Sequence, residues 1–153
     1  MTEIVGEAAK TGLAIALAQK FPGDAVYTEQ QTNGKLMKFP QFFIEQLTMS
    51  VREERKGYWW LNCLVTARWR VSAEPFAVPD LQKRLDDVSL KLMEIGMIDI
   101  ASMPTHVKNA RTEKADGVLH YFCGVSIQAN KERAEEINMW TIEQNNIIQK
   151  RKE

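Results

Sequence analysis

The sequence predicts an α+β fold: an antiparallel or mixed β-sheet of about four to five strands, packed by two helices on one face and followed by a C-terminal arm. Two segments carry apolar residues at the helical spacing of three and four, and two long segments alternate between the two faces of a strand. They occur in the order helix, strands, helix, strands, which favours an antiparallel or mixed sheet with helices on one side.

The first helix is predicted over residues 4–20, an alanine-rich segment. Its apolar residues form one stripe: Val5, Ala9, Leu13, Ala16 and Leu17. Residues 21–24 (Phe-Pro-Gly-Asp) end it, because proline and glycine continue a helix only at a cost. A short strand is predicted at residues 25–28. Asn33-Gly34 predicts a turn, since both residues tolerate a positive φ.

A β-hairpin is predicted next. Leu47, Met49 and Val51 share one face of its first strand, and the polar residues 52–57 predict its loop. The second strand has the clearest alternation in the chain. Seven of its residues are predicted to face the core: Trp59, Leu61, Cys63, Val65, Ala67, Trp69 and Val71.

A second helix is predicted over residues 80–95, with Asp80 as its N-cap and Gly96 after its end. Its narrow apolar stripe should lie across the sheet: Leu81, Leu85, Val88, Leu92 and Ile95. Residues 97–112 predict one weak strand, interrupted by Pro104, with Val107 facing inward. A turn at 114–117 then leads into a long alternating strand at 118–129.

The sequence predicts a domain of residues 1–131 followed by a C-terminal arm of residues 132–153. The arm is polar and charged with scattered apolar residues, so the expectation is either a helix or a flexible segment. Disordered segments are poor in aromatic and β-branched residues, yet the arm holds Trp140, Ile142, Ile147 and Ile148. We therefore expect the arm to contact a neighbouring subunit, with folding back on its own subunit as a nearly equal alternative.

Composition argues against several classes of protein. Lysine plus arginine equals aspartate plus glutamate at 20 each, whereas proteins that bind duplex DNA usually carry a basic excess. No secretory signal or transmembrane segment is predicted, so synthesis and assembly in the cytoplasm is expected. Two cysteines in 153 residues do not form a disulfide framework.

The sequence predicts no catalytic residue, no cofactor and no metal site. Cys63 and Cys123 have inward parity, where a cysteine behaves as a small apolar residue. His106 and His120 are interpreted as surface or interface residues, and no phosphate-binding or metal-binding motif is present. An enzyme that uses one of these thiols with a histidine is the lowest-ranked alternative.

Tyr58, Trp60 and Phe122 fall on the strand parity that faces away from the core. Exposed aromatics on a sheet mark a protein interface or a platform that stacks single-stranded nucleic acid. The neutral charge favours the interface. The predicted subunit or partner interface therefore combines these three residues with four from the arm: Trp140, Ile142, Ile147 and Ile148.

Three stretches in this order resemble the tail-terminator family of contractile-tailed phages and phage-derived tail particles. The resemblance covers about residues 3–132, and the arm lies outside it. The stretches are the first helix running into Phe21-Pro22 and Val26-Tyr27-Thr28-Glu29; Phe39-Pro40-Gln41-Phe42-Phe43-Ile44 ahead of Arg55-Lys56-Gly57-Tyr58; and Asp116-Gly117-Val118-Leu119-His120-Tyr121-Phe122.

The resemblance implies a virion structural protein without catalytic residues. It implies a homohexameric ring that caps the tail tube, stops tail polymerisation and joins the tail to the head. The implied partners are further copies of the chain, the tail tube and sheath proteins and the head–tail connector, with DNA passing only through the lumen. The alternatives are another phage neck or connector protein and, from a different class, a single-stranded nucleic-acid-binding sheet module.

Overall fold

The computed structural model describes residues 2–28 and 38–152. The predicted α+β architecture, with helices packed on a sheet, is confirmed. The helices are α1 (Thr2–Lys20), α2 (Leu81–Met93) and α3 (Lys131–Lys152). The strands are β1 (Ala25–Thr28), β2 (Gln41–Arg55), β3 (Tyr58–Arg70), β4 (Met97–Ile100), β5 (Met103–His106), β6 (Lys108–Ala115) and β7 (Val118–Ala129). The turn predicted at Asn33-Gly34 lies outside the described residues.

The main sheet has five strands in the order β1-β2-β3-β7-β6, while β4 and β5 form a separate two-stranded hairpin. The β1–β2 pair is parallel and the β2–β3, β3–β7 and β6–β7 pairs are antiparallel, so the sheet is mixed. Because three antiparallel pairings separate β2 from β6, these two strands run in opposite directions.

The core lies on one face of this sheet, called here the inner face. The inward parity predicted for β3 is confirmed, with Leu61, Val65 and Ala67 fully buried. Helix α1 packs on β1, β2, β3 and β4, and α2 packs on β6 and β7. The predicted stripe of α2 joins the same core, since Leu85 is 1% exposed and Leu92 is 0% exposed.

Two features of the β2–β3 hairpin differ from the prediction. Residues 52–55 continue β2, so the turn comprises only Lys56-Gly57, and φ is +86° at Gly57. The charged side chains of residues 52–55 suit a strand here because both faces are exposed. A register shift at Leu47 leaves that side chain 45% exposed, while Met49 keeps its predicted face opposite Cys63.

The segment between α2 and β7 holds three strands rather than one. Ala101 and Ser102 both have positive φ in a tight turn that joins β4 to β5. Burial of Ile98 and Ile100 in the core, where β4 packs on α1, stabilises this hairpin. The later turn is shorter than predicted and comprises Asp116-Gly117, both with positive φ.

Asp80 occupies the predicted N-cap position of α2, and the backbone N–H of Arg84 donates to its carbonyl at 3.0 Å. Its φ is +58°, however, and its side chain makes no capping hydrogen bond.

The segment predicted as an arm is a long helix, α3, that packs on its own chain. Asn130 caps α3, because the backbone N–H of Arg133 donates to Asn130 Oδ1 at 2.8 Å. The helix packs against α1, with Ile137 fully buried, and the Thr11 hydroxyl donates to Asn145 Oδ1 at 2.9 Å. Residues 131–148 are therefore part of the folded domain.

Candidate interaction surface

The face of the sheet opposite the core, called here the outer face, stays accessible. Its side chains alternate in sequence with the buried ones of β2, β3 and β7. Six of them are only half-buried: Phe43, Trp60, Leu64, Arg68, His120 and Phe122. A one-sided sheet of this kind buries its core and leaves a broad surface for a partner.

Arginines stack on aromatic rings at three places on the outer face. The Arg55 guanidinium lies 4.1 Å from the centroid of the Tyr58 ring, and the Arg111 guanidinium lies 4.3 Å from that of Phe122. Arg68 lies 5.0 Å from the centroid of the ring of Phe43 and also pairs with a carboxylate on β2. Such contacts hold long side chains in place, so less side-chain freedom is lost when a partner binds.

The predicted aromatic residues share the outer face without forming one cluster. Trp60 lies opposite Gln128 of β7, whereas Phe122 lies opposite Thr66 of β3. Six residues along a strand separate these positions, a distance of roughly 20 Å. Tyr58 lies beside Trp60 at the turn end of the hairpin. The outer face therefore offers two separate aromatic sites.

Trp60 borders a groove of about 330 Å³ between β7 and the β4–β5 hairpin. The groove has apolar walls with polar groups around them, and its lining includes Ile100, Met103, Pro104 and Ile127. An apolar groove beside an accessible tryptophan is suited to an apolar side chain of a protein partner.

The four interface residues predicted on α3 have two different environments. Trp140 and Ile148 are partly buried and pack against the chain's own core, while the interface predicted for all four residues stays a prediction. Ile142 is 55% exposed and Ile147 is 42% exposed. Met139, which the sequence reasoning missed, is the most exposed of the apolar residues of α3 at 73%.

Strands β2 and β6 each leave all or part of one edge unpaired among the described residues. Beyond Ile44, where its pairing with β1 ends, no described residue pairs with the side of β2 that faces away from β3. At the opposite end of the sheet, β6 has β7 on one side and no described strand on the other. Residues 52–55 were predicted as loop because all four are charged, whereas most of β6 lay within the weak strand predicted at residues 97–112.

The titratable residues singled out as possible catalysts do not come together. Cys63 and Cys123 are buried on the inner face, while His120 stacks with Phe122 on the outer face. Burial raises the pKa of Cys63 to about 11, although Lys10 opposes this rise. Burial also raises the pKa of Cys123 to about 12, and Cys63 adds to that shift. Both thiols are therefore held protonated at neutral pH.

Within residues 2–28 and 38–152, no group of three or more histidine, cysteine, aspartate or glutamate side chains gathers as metal ligands. In the same part of the chain, every helix is too short or too polar to cross a membrane.

Comparison with known proteins gives no functional assignment. No protein-family model matches the chain, and no curated protein is significantly similar to it in sequence. One solved structure, of a protein whose description states no function, aligns with 86% of this chain and 96% of its own at 9% identity and a TM-score of 0.40. A similarity this low carries no argument about fold or function.

Proposed function

We propose that this chain is a structural virion protein, a tail terminator. In this role it forms a homohexameric ring on the head-proximal end of a phage tail or phage tail-like particle. The ring caps the tail tube, stops polymerisation and offers a surface to the sheath and the head–tail connector. The chain carries out no catalysis in this role, and DNA only passes through the lumen.

The observation that carries this proposal is the sheet, which buries a core on one face only and has strand edges that stay accessible. Its inner face holds the core, while the outer face and two unlike strand edges of the described chain remain available. A ring subunit needs two different patches that join head to tail and close by rotation. The order of the sequence stretches that resemble terminators adds to this support, and another phage neck protein remains the alternative within the same class.

Capping can be tested directly by adding the purified chain to polymerising tail tube protein from the same particle. The proposal expects shorter tubes, with a ring at one end in electron micrographs. Trp60→Ala should reduce capping about tenfold or more if the Trp60 groove binds the tube, because tryptophans in such grooves often dominate binding. Leu90→Ala is the control, since Leu90 is 70% exposed on α2. Unchanged tube lengths with folded wild-type protein would refute the capping function.

One observation favours the nucleic-acid-binding alternative. The outer face is more basic than the neutral chain, with the three stacked arginines joined by Arg70 and Lys108. Arginines and aromatic rings together form platforms for single strands. Binding to a single-stranded oligonucleotide that weakens steeply between about 50 and 200 mM salt would favour this function. Absence of binding at low salt would eliminate it.

A further inference from the structure

The two accessible edges of the sheet carry the same charge alternation. On β2, Arg52 precedes Glu54 by two residues, and on β6, Arg111 precedes Glu113 by two residues. All four side chains belong to the outer face, which Glu54 reaches from a β-bulge between Glu53 and Arg55. Arg52 lies opposite Trp60, and Glu54 accepts a hydrogen bond from Gln128. Arg111 stacks on Phe122 and pairs within its own chain with Glu113, which lies opposite His120.

Charges on a strand edge usually discourage pairing with another strand, so their signs decide whether two edges can join. Side by side in parallel, these edges would place arginine on arginine and glutamate on glutamate. In antiparallel register, Arg52 lies opposite Glu113 and Glu54 lies opposite Arg111. Opposite charges facing each other across strands are stabilising, and like charges are destabilising.

The directions of the strands allow this antiparallel register in a ring. Because β2 and β6 run in opposite directions within one sheet, a neighbour related by rotation about an axis along the strands brings its β6 antiparallel to β2. The contact uses a different edge on each copy, so it repeats from copy to copy, and it closes into a ring when the rotation between copies is a whole fraction of a turn.

We propose that the distal edge of β2 in one copy pairs with the β6 edge of a second copy, extending the sheet from subunit to subunit. The register places Arg52 against Glu113, Glu54 against Arg111 and Ser50 against Ala115 of the neighbour. The backbone hydrogen bonds supply affinity, and the two charge pairs set direction and register. This inference rests on the proposed ring and specifies how its subunits join.

The competing arrangement is a symmetric dimer through β2 alone, since Arg52 and Glu54 are also complementary to each other in an antiparallel self-pair. The double variant Arg52→Glu with Glu54→Arg separates the two arrangements without changing composition. It preserves complementarity in a β2–β2 dimer but places like charges together in the β2–β6 contact. We expect it to weaken assembly about tenfold or more.

Restoring the complementarity is the decisive control. Adding Arg111→Glu and Glu113→Arg reverses both edges, and the four-substitution variant should regain assembly. Sedimentation velocity over a range of concentrations measures both variants, and circular dichroism checks that each is folded. A double variant that assembles like the wild type, or a four-substitution variant that does not recover, would overturn the inference.

A disulfide between copies tests the register without relying on charge. Ser50→Cys with Ala115→Cys should give a ladder of covalent oligomers after mild oxidation, because the chain's own thiols are buried. Ser50→Cys alone is the matched control and should remain monomeric in denaturing gels. Absence of the ladder in a folded double variant would contradict the register.

The two proposals can fail separately. Assembly that depends on the β2–β6 contact without capping of tubes would refute the terminator function and leave the contact standing. Rings that cap tubes and assemble equally well after the charges on one edge are reversed would refute only the β2–β6 contact. A chain that stays monomeric would overturn both.

Discussion

Leu92→Ala tests whether α2 is held on the sheet by its predicted apolar stripe. Leu92 is 0% exposed and belongs to the main core. The substitution removes buried hydrocarbon worth about 0.8 kcal/mol per methylene, roughly 2.4 kcal/mol in total. With the cavity left behind included, buried Leu→Ala substitutions lower the unfolding free energy by about 2–5 kcal/mol, which is roughly 4–20 °C in Tm for a chain of this size.

Leu90→Ala is a closely matched control, because it makes the same chemical change two residues earlier in the same helix. Leu90 is 70% exposed, so its loss should change the unfolding free energy by less than about 0.5 kcal/mol. Urea unfolding of both variants at one protein concentration gives the comparison. Equal effects of the two substitutions would refute the packing of α2 described above.

Two further predictions concern the buried thiols and α3. The pKa of Cys63 rises from 9.0 to about 11 in the folded chain, so this thiol costs no stability below pH 9 and lowers the unfolding free energy as the pH rises towards 11. Cys63→Ala should make that loss of stability with pH shallower in urea unfolding. Rapid alkylation of the native thiol would contradict its burial. Ile137→Ala should lower the unfolding free energy by about 2–5 kcal/mol, because Ile137 is fully buried against the rest of the domain. Ile142→Ala, the control, should change it by less than about 0.5 kcal/mol. Equal unfolding midpoints of the two variants would contradict the packing of α3.

The elements that bury only one face, β3, β7 and α2, could be predicted from the sequence. Strands β3 and β7 pack on one face only, so apolar residues recur with period two and the parity of Cys63 and Cys123 could be assigned. Helix α2 has a narrow apolar stripe for the same reason, and its contact with the sheet was predictable.

The elements that were missed lack a strong local signal. The β4–β5 hairpin turns through Ala101 and Ser102, which adopt positive φ although neither is a typical residue for that conformation. Tertiary burial of Ile98 and Ile100 determines this turn, and sequence spacing does not reveal it. Helix α3 has a weak apolar periodicity, so its contact with α1 was one of two nearly equal expectations.

The candidate interface was predictable only in part. Parity placed Trp60 and Phe122 on the same face, but it contains no information about the distance between them along the strands. The charge alternation at residues 52–54 was visible in the sequence, yet a run of charged residues is typical of both loops and exposed strand edges. Strand order was needed to show that β2 and β6 end the antiparallel part of the sheet.

Native mass spectrometry of the purified chain over a range of concentrations tests the central claim most directly. A closed ring predicts a discrete assembly that does not grow beyond one size, and the terminator proposal predicts six copies. Association that stops at a symmetric dimer, or a chain that stays monomeric at the highest concentration, would contradict the account.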